Sequence, residues 1–218
     1  MKDYIIHDEW KIIEESFHPV YNRITESLMS LGNGRIGHRA NFEERYTGDT
    51  LHGNYVAGVY YPDKTRVGWW KNGYPRYFAK VLNAANWIGI DVKIGSETLD
   101  LNTAKILEFR RELNMHEGNL NREFIARLPS GKQVKVNTRR FVSIVDSEIG
   151  AIRYTIKALN FTDKITLTPY IDFDIRNEDA NYDEKFWDEV DINIKPGEGY
   201  IVAEVRKTLF HVLSLIHI

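Results

Sequence analysis

The feature that most constrains this chain is a period-two alternation of apolar and polar residues, broken at short intervals by turn residues. Ile88, Ile90, Val92 and Ile94 alternate with Gly89, Asp91 and Lys93, and Gly95-Ser96 then turns the chain into Glu97 to Leu101. Ile125 and Leu128 lead to Pro129-Ser-Gly-Lys132, after which Val134 and Val136 alternate. Ile152, Tyr154 and Ile156 repeat the pattern, and Asn160-Phe-Thr-Asp163 turns into Ile165, Leu167 and Pro169. Ile192 and Ile194 precede Pro196-Gly-Glu-Gly199, and Ile201, Ala203 and Val205 follow. Successive side chains of a strand point to opposite faces, so each run has one apolar and one polar face. Short strands at this spacing predict an all-β antiparallel sandwich. Helices are expected to be few and short. Ala104 to Leu113 fits strand or helix, and Asp179 to Val190 has room for one short turn.

The section from Gly32 to Gly73 breaks the pattern. It carries eight of the fifteen glycines and no clean alternation. It reads as a long irregular loop excursion from the sheet, a kind of segment that is usually functional or forms an interface. Its Gly32-Asn-Gly-Arg-Ile-Gly37 spells G-x-G-x-x-G. A dinucleotide site needs those glycines between a strand and a helix. Leu28 to Leu31 reads as an acceptable strand, but Ile36 to Glu44 lacks helical apolar spacing, and Gly48, Gly53 and Gly58 follow it. The glycines are therefore read as turn formers.

Nine of the 27 aromatic residues fall between Tyr55 and Trp87, including Tyr60, Tyr61, Trp69 and Trp70. Aromatic faces pack in cores, stack on sugar rings or bases, and anchor interfaces. Packing or an interface ranks first, sugar contact second. Lys64, Arg66, Lys71, Arg76 and Lys80 interleave with the aromatics, but the net charge is -2, and no nucleic-acid partner is expected. The acidic run from Asp172 to Asp191 lacks the spacing of a calcium loop and reads as solvated. With no cysteine and no H-x-x-x-H or H-E-x-x-H, no metal site is expected. Glu43-Glu44 is discounted as a cooperating carboxylate pair, because adjacent residues of a strand face opposite ways. No apolar run marks a signal peptide or membrane span, so a cytoplasmic protein with no membrane partner is expected.

Several ordered blocks resemble one family. They are Glu26 to Glu44, Gly53-Asn-Tyr-Val-Ala-Gly-Val-Tyr60, Val81-Leu-Asn-Ala-Ala-Asn-Trp87, Arg111-Glu-Leu-Asn-Met-His-Glu-Gly118, Arg140-Phe-Val-Ser143 and Gly150-Ala-Ile-Arg-Tyr154. They look like the N-terminal domain of glycoside hydrolase family 65, the inverting disaccharide phosphorylases. Asn177 to Trp187 looks most like the bacterial maltose phosphorylase branch. The resemblance spans about residues 8–212. It implies an antiparallel super-sandwich similar to the galactose mutarotase fold, followed in the family by a helical linker and an (α/α)6 barrel that carries the general-acid glutamate. It implies maltose and inorganic phosphate as substrates of the whole enzyme, no metal or organic cofactor, and a homodimer. Kojibiose, nigerose or trehalose are the alternative substrates, and a stand-alone carbohydrate-binding module is the alternative role.

On this reading residues 1–212 form the sandwich, incomplete at its C-terminal end, and the barrel is absent. Leu213 to Ile218 matches a sequencing-adapter translation and is expected to be non-native. No catalytic residue is assigned, and the chain alone is expected to be inactive. Asn33, Arg35, Arg39, Tyr60, Trp69 and Trp70 are the candidates for substrate or interdomain contact.

Overall fold

A computed structural model describes residues 4–65, 75–178 and 185–218. Their regular structure is almost entirely strand, and the strands of the main sheets pair antiparallel. The chain divides into two compact units.

The first unit holds residues 1–53 and 88–170. Its main sheet has six strands in the order Ile5–His7, Lys11–Glu14, Lys105–Asn114, Asn119–Arg127, Gln133–Val142, Gly150–Ala158. The last four form a meander of hairpins, each pairing with its sequence neighbour. Pro129-Ser-Gly-Lys132 closes one hairpin as expected. Gly131 sits there at φ 89°, where a Cβ would be strained. A second sheet places Ile90–Ile94 between Ile165–Pro169 and Glu97–Thr98. Its Val92 and Ile94 meet Phe109, Phe124, Val134 and Val136 of the six-stranded sheet in one buried core. This face-to-face burial of two antiparallel sheets is the predicted sandwich.

The second unit holds residues 54–87 and 171–218. A hairpin pairs Tyr60–Lys64 with Tyr77–Val81. A three-stranded sheet is built from Trp187–Lys195, Glu198–Val205 and His211–His217. Tyr61, Leu82, Phe186, Trp187, Ala203 and Val205 form its core. The indole N–H of Trp187 donates to the carbonyl of Asn83 at 2.9 Å, so its one polar group is satisfied inside that core. Leu213 to His217 belongs to the last strand, paired with the strand before it.

Three local readings are resolved or revised. Ala104 to Leu113 is strand over Lys105–Asn114, because Phe109, Arg111 and Leu113 turn inward on alternate positions. Leu28 to Leu31 is not a strand. Asn22–Leu28 is a helix, and only Leu31–Gly32 is extended. The segment from Gly32 is irregular as read, but its first half packs inward, for Ala40, Asn41, Phe42, Glu43 and Glu44 are all buried. Tertiary burial held these residues in place without a local repeat to announce them. Of the acidic run, 179–184 lie outside the described residues, and Asp188 to Asp191 sit on the strand Trp187–Lys195.

Phe124 is fully buried at the centre of the first core. Phe124→Ala should cost about 3–5 kcal/mol in urea unfolding. Ile144→Ala, at a position 85% exposed, should stay within about 0.5 kcal/mol. Equal losses would mean that the core assignment is wrong.

Candidate functional site

The inner face of the six-stranded sheet changes character along its strands. Strand period puts Phe109, Arg111 and Leu113 inward on one strand, Leu120, Arg122, Phe124 and Ala126 on the next, and Val134, Val136, Thr138 and Arg140 on the third. One end is therefore apolar, and the other carries three buried guanidiniums.

Those cations are matched by four buried carboxylates. Arg111 donates from Nε and Nη2 to Glu14 Oε2 at 3.0 and 2.8 Å, and from Nη1 to the carbonyl of Ala40 at 3.1 Å. Arg122 donates from Nη2 to both Glu43 and Glu44. Arg140 donates to Glu43 Oε1 at 2.9 Å and to the carbonyl of Asn41 at 3.2 Å. Glu26, on the inward face of the helix, accepts from Asn22 at 2.9 Å, from the Thr50 hydroxyl at 2.5 Å and from the Leu51 N–H at 3.0 Å. The Phe42 ring lies against both Arg111 and Arg122, whose guanidinium carbons are 5.1 and 5.0 Å from its centroid. Cation–π contact with one shared ring helps two arginines at directly opposed strand positions share the interior.

Glu43 and Glu44 do not point to opposite faces as the sequence reading expected, although the outcome is still no catalytic pair. They lie in a bend, not a strand, so both side chains turn to the same guanidinium. Their environments differ. Burial pushes the Glu43 carboxyl up, but Arg140 and Arg122 outweigh it and hold the group below the usual range. Burial dominates at Glu44 and raises it, with Arg122 opposing and the charge of Glu43 adding to the rise. Burial likewise keeps Tyr154 protonated, and its hydroxyl donates to Glu44 Oε1 at 2.7 Å. Burial and then Arg140 depress the imidazole of His38 to about 3. Glu43 and Glu44 are 2% and 4% exposed, too enclosed to reach a substrate. This network is a structural keystone and not an acid–base pair.

Of the six residues singled out from sequence, Asn33, Arg35 and Arg39 lie in the first unit. Asn33 ties two loops together: its Nδ2 donates to the carbonyls of Ser143 at 2.5 Å and Ser147 at 2.9 Å, and its Oδ1 accepts the N–H groups of Arg35 and Ile36. Arg35 pairs with Glu148 at 3.3 Å on the surface. Arg39 donates to the carbonyls of Leu51 and Arg23 and to the Ser27 hydroxyl, stapling the helix to the following loop. Tyr60 is in the second unit and 46% exposed. Trp69 and Trp70 lie outside the described residues. The aromatic cluster divides. Tyr61 is core, edge-on to Phe186 at 4.7 Å, whereas Tyr60, Tyr77 and Val81 share the exposed side of their hairpin. Among the described residues no group of His, Asp and Glu is placed to hold a metal ion, and no helix is long and apolar enough to cross a membrane.

The keystone residues had a sequence signal that went unused. Arg111, Arg122 and Arg140 each stand in the apolar phase of an alternating strand, where a charge has no place unless it is paired inside.

These features define a sandwich domain held by a buried ionic core. The chain matches the family model "Glycosyl hydrolase family 65, N-terminal domain" over residues 12–217, and it belongs to that family. It is 46% identical over 203 residues to maltose phosphorylase of Bacillus subtilis, covering 93% of this chain and 27% of that one. It is 32% identical to α,α-trehalose phosphorylase of Thermoanaerobacter brockii over 93% of this chain and 28% of that one. A solved structure described as a candidate kojibiose phosphorylase from the human microbiome superposes with a TM-score of 0.86 at 25% identity, over 97% of this chain and 28% of the other. The chain thus spans under a third of the length of these relatives.

Arg122→Met leaves Glu43 and Glu44 without their shared cation, and should cost about 3–5 kcal/mol in urea unfolding. Arg35→Met, removing a surface pair, should cost under about 1 kcal/mol. The folded state binds fewer protons than the unfolded chain at His38. Its contribution is therefore complete above about pH 6.5 and falls away as pH drops toward 3, by up to about 1.4 kcal/mol per unit. Glu43 acts in the same direction at lower pH, and Glu44 against it. His38→Gln should flatten the fall between pH 6 and 4.5 in urea midpoints; an unchanged slope would show that the ring is not held neutral.

Proposed function

We propose that this chain serves as the N-terminal domain of an inverting α-glucosidic disaccharide phosphorylase, with maltose as substrate. The observation that carries the choice of sugar is the identity of 46% to a maltose phosphorylase, against 32% to a trehalose phosphorylase and 28% to a kojibiose phosphorylase. In the reaction a protein acid protonates the glycosidic oxygen while a phosphate oxygen attacks the anomeric carbon from the opposite face. The C–O bond breaks with inversion, giving β-glucose 1-phosphate and glucose. The general acid belongs to the catalytic barrel, and phosphate is a co-substrate, with no metal or organic cofactor. A homodimer in the cytoplasm is the assembly proposed.

The role of this domain is to present a rigid surface to the barrel. Tyr60, with Tyr77 and Val81 beside it, supplies an exposed apolar face suited to interdomain contact. Trp69 and Trp70 are assigned to the same contact from their place in the sequence. Asn33, Arg35 and Arg39 are assigned to substrate or interdomain contact of the first unit, where they fix the loops around its helix.

The test is an assay of a protein that joins this domain to its catalytic barrel. Phosphate-dependent release of β-glucose 1-phosphate should be fastest, by kcat/KM, with maltose, and the 218-residue chain alone should release none. A higher kcat/KM with trehalose, kojibiose or nigerose would overturn the choice of maltose. Release of glucose without phosphate would overturn phosphorolysis. Tyr60→Ala in the same protein should lower its melting temperature or raise KM, and no change in either would remove Tyr60 from the contact.

A further inference from the structure

The outer face of the six-stranded sheet carries a polar grid two residues deep and four strands wide. Register places Arg110, Glu123, Asn137 and Thr155 in one row, and Glu112, Asn121, Arg139 and Arg153 in the next. These residues line a groove of about 330 Å³. None of the eight is apolar, which sets the groove apart from the ordinary apolar pocket for a drug-like ligand.

The two acids of the grid are already committed. Glu112 takes Lys11 at 3.1 Å and Arg110 at 2.7 Å, and Glu123 takes Lys135 at 2.8 Å. The remaining capacity is that of donors, and it is concentrated at one corner. Arg139 and Arg153 stand directly opposite each other on adjacent strands. Like charges in that position repel. Arg139 has one counterion, Glu117 at 2.6 Å, a carboxylate that is itself half-exposed. Among the described residues, no hydrogen bond or ion pair engages the Arg153 side chain. Asn137 and Thr155, beside them, add an amide and a hydroxyl.

The inner face of the same sheet offers an internal comparison. There Arg111 and Arg122 are also directly opposed, and both have the Phe42 ring and buried carboxylates against them. On the outer face only Arg139 has a carboxylate partner among the described residues. An oxyanion supplies what is missing: it accepts two or more guanidinium N–H bonds at once and cancels the repulsion.

We propose that Arg139 and Arg153, with Asn137 and Thr155, form an oxyanion site for a phosphate group, either free or carried on a sugar. It is an outer-sheet site made by this domain alone, and it does not depend on which disaccharide the parent enzyme cleaves.

Titration of the 218-residue chain in chloride buffer with inorganic phosphate tests it, by calorimetry and by the shift in melting temperature. Glucose 1-phosphate is the second probe and glucose the neutral control. Wild type should bind phosphate or the sugar phosphate and melt higher in its presence, while glucose does nothing. Arg153→Gln should weaken binding at least about tenfold, and Arg153→Lys should retain part of it. Tighter binding of glucose 1-phosphate than of phosphate would assign a sugar phosphate as the ligand, and equal binding would assign the free ion. In phosphate-free buffer Arg153→Gln should melt no lower than wild type, since it relieves repulsion; this also checks that the variant folds. Phosphate binding equal in wild type and Arg153→Gln would overturn the site, as would no binding by wild type.

Discussion

Three guanidiniums cannot be enclosed in a protein without anions around them, and the first unit is organised to meet that demand. Arg111, Arg122 and Arg140 come from three neighbouring strands of one sheet. Their side-chain partners come from three other places in the chain: the strand Lys11–Glu14, the helix Asn22–Leu28 and the bend at Glu43–Glu44, with Tyr154 of the strand Gly150–Ala158 donating in turn to Glu44. An unpaired buried charge costs several kcal/mol, so each of these segments must reach its place before the core is favourable. Such a network contributes less to net stability than to the choice of one arrangement over others. The same sheet's apolar end supplies the bulk driving force through Phe109, Phe124, Val134 and Val136.

This explains why a helix that looks inside out is stable. Asn22–Leu28 buries Asn22, Thr25 and Glu26 while Ile24 and Leu28 stay exposed. Seven residues do not form a stable helix alone. Here the inward polar side chains are consumed by the ionic core and by the Thr50 and Leu51 loop. Arg39 then closes the far side by donating to the carbonyl of Arg23 and the hydroxyl of Ser27. Helix and loop are held by hydrogen bonds to charged groups, which are roughly twice as strong as neutral ones.

A domain built this way suits a part that must hold its shape while chemistry happens elsewhere. Its carboxylate pair is shielded and committed, so it contributes position and not proton transfer. Two surfaces among the described residues stand out for contact. An exposed apolar hairpin face centres on Tyr60 and Tyr77, and a polar grid lies on the outer sheet. Each is a direct consequence of strand period two, which gives every buried face an opposite one that the core cannot use.

The alternation of Ile90 to Ile94, Val134 to Val136 and Ile152 to Ile156, with turns at Gly95, Gly131 and Gly197, was enough to determine an antiparallel sandwich. Period and turn chemistry are local, and the ordered blocks from Glu26 to Tyr154 were enough to place the family. The keystone was not legible in the same way. Glu14, Glu26, Glu43 and Glu44 are polar residues in ordinary-looking segments, and the arginine partners of Glu14, Glu43 and Glu44 lie between 78 and 97 residues away. Whether Glu43 and Glu44 diverge or converge turned on a bend that no local residue preference announces. Sequence determined which residues alternate. Only the tertiary structure decided which charges meet, because that depends on the register of strands far apart in the chain and on the cost of leaving any buried charge alone.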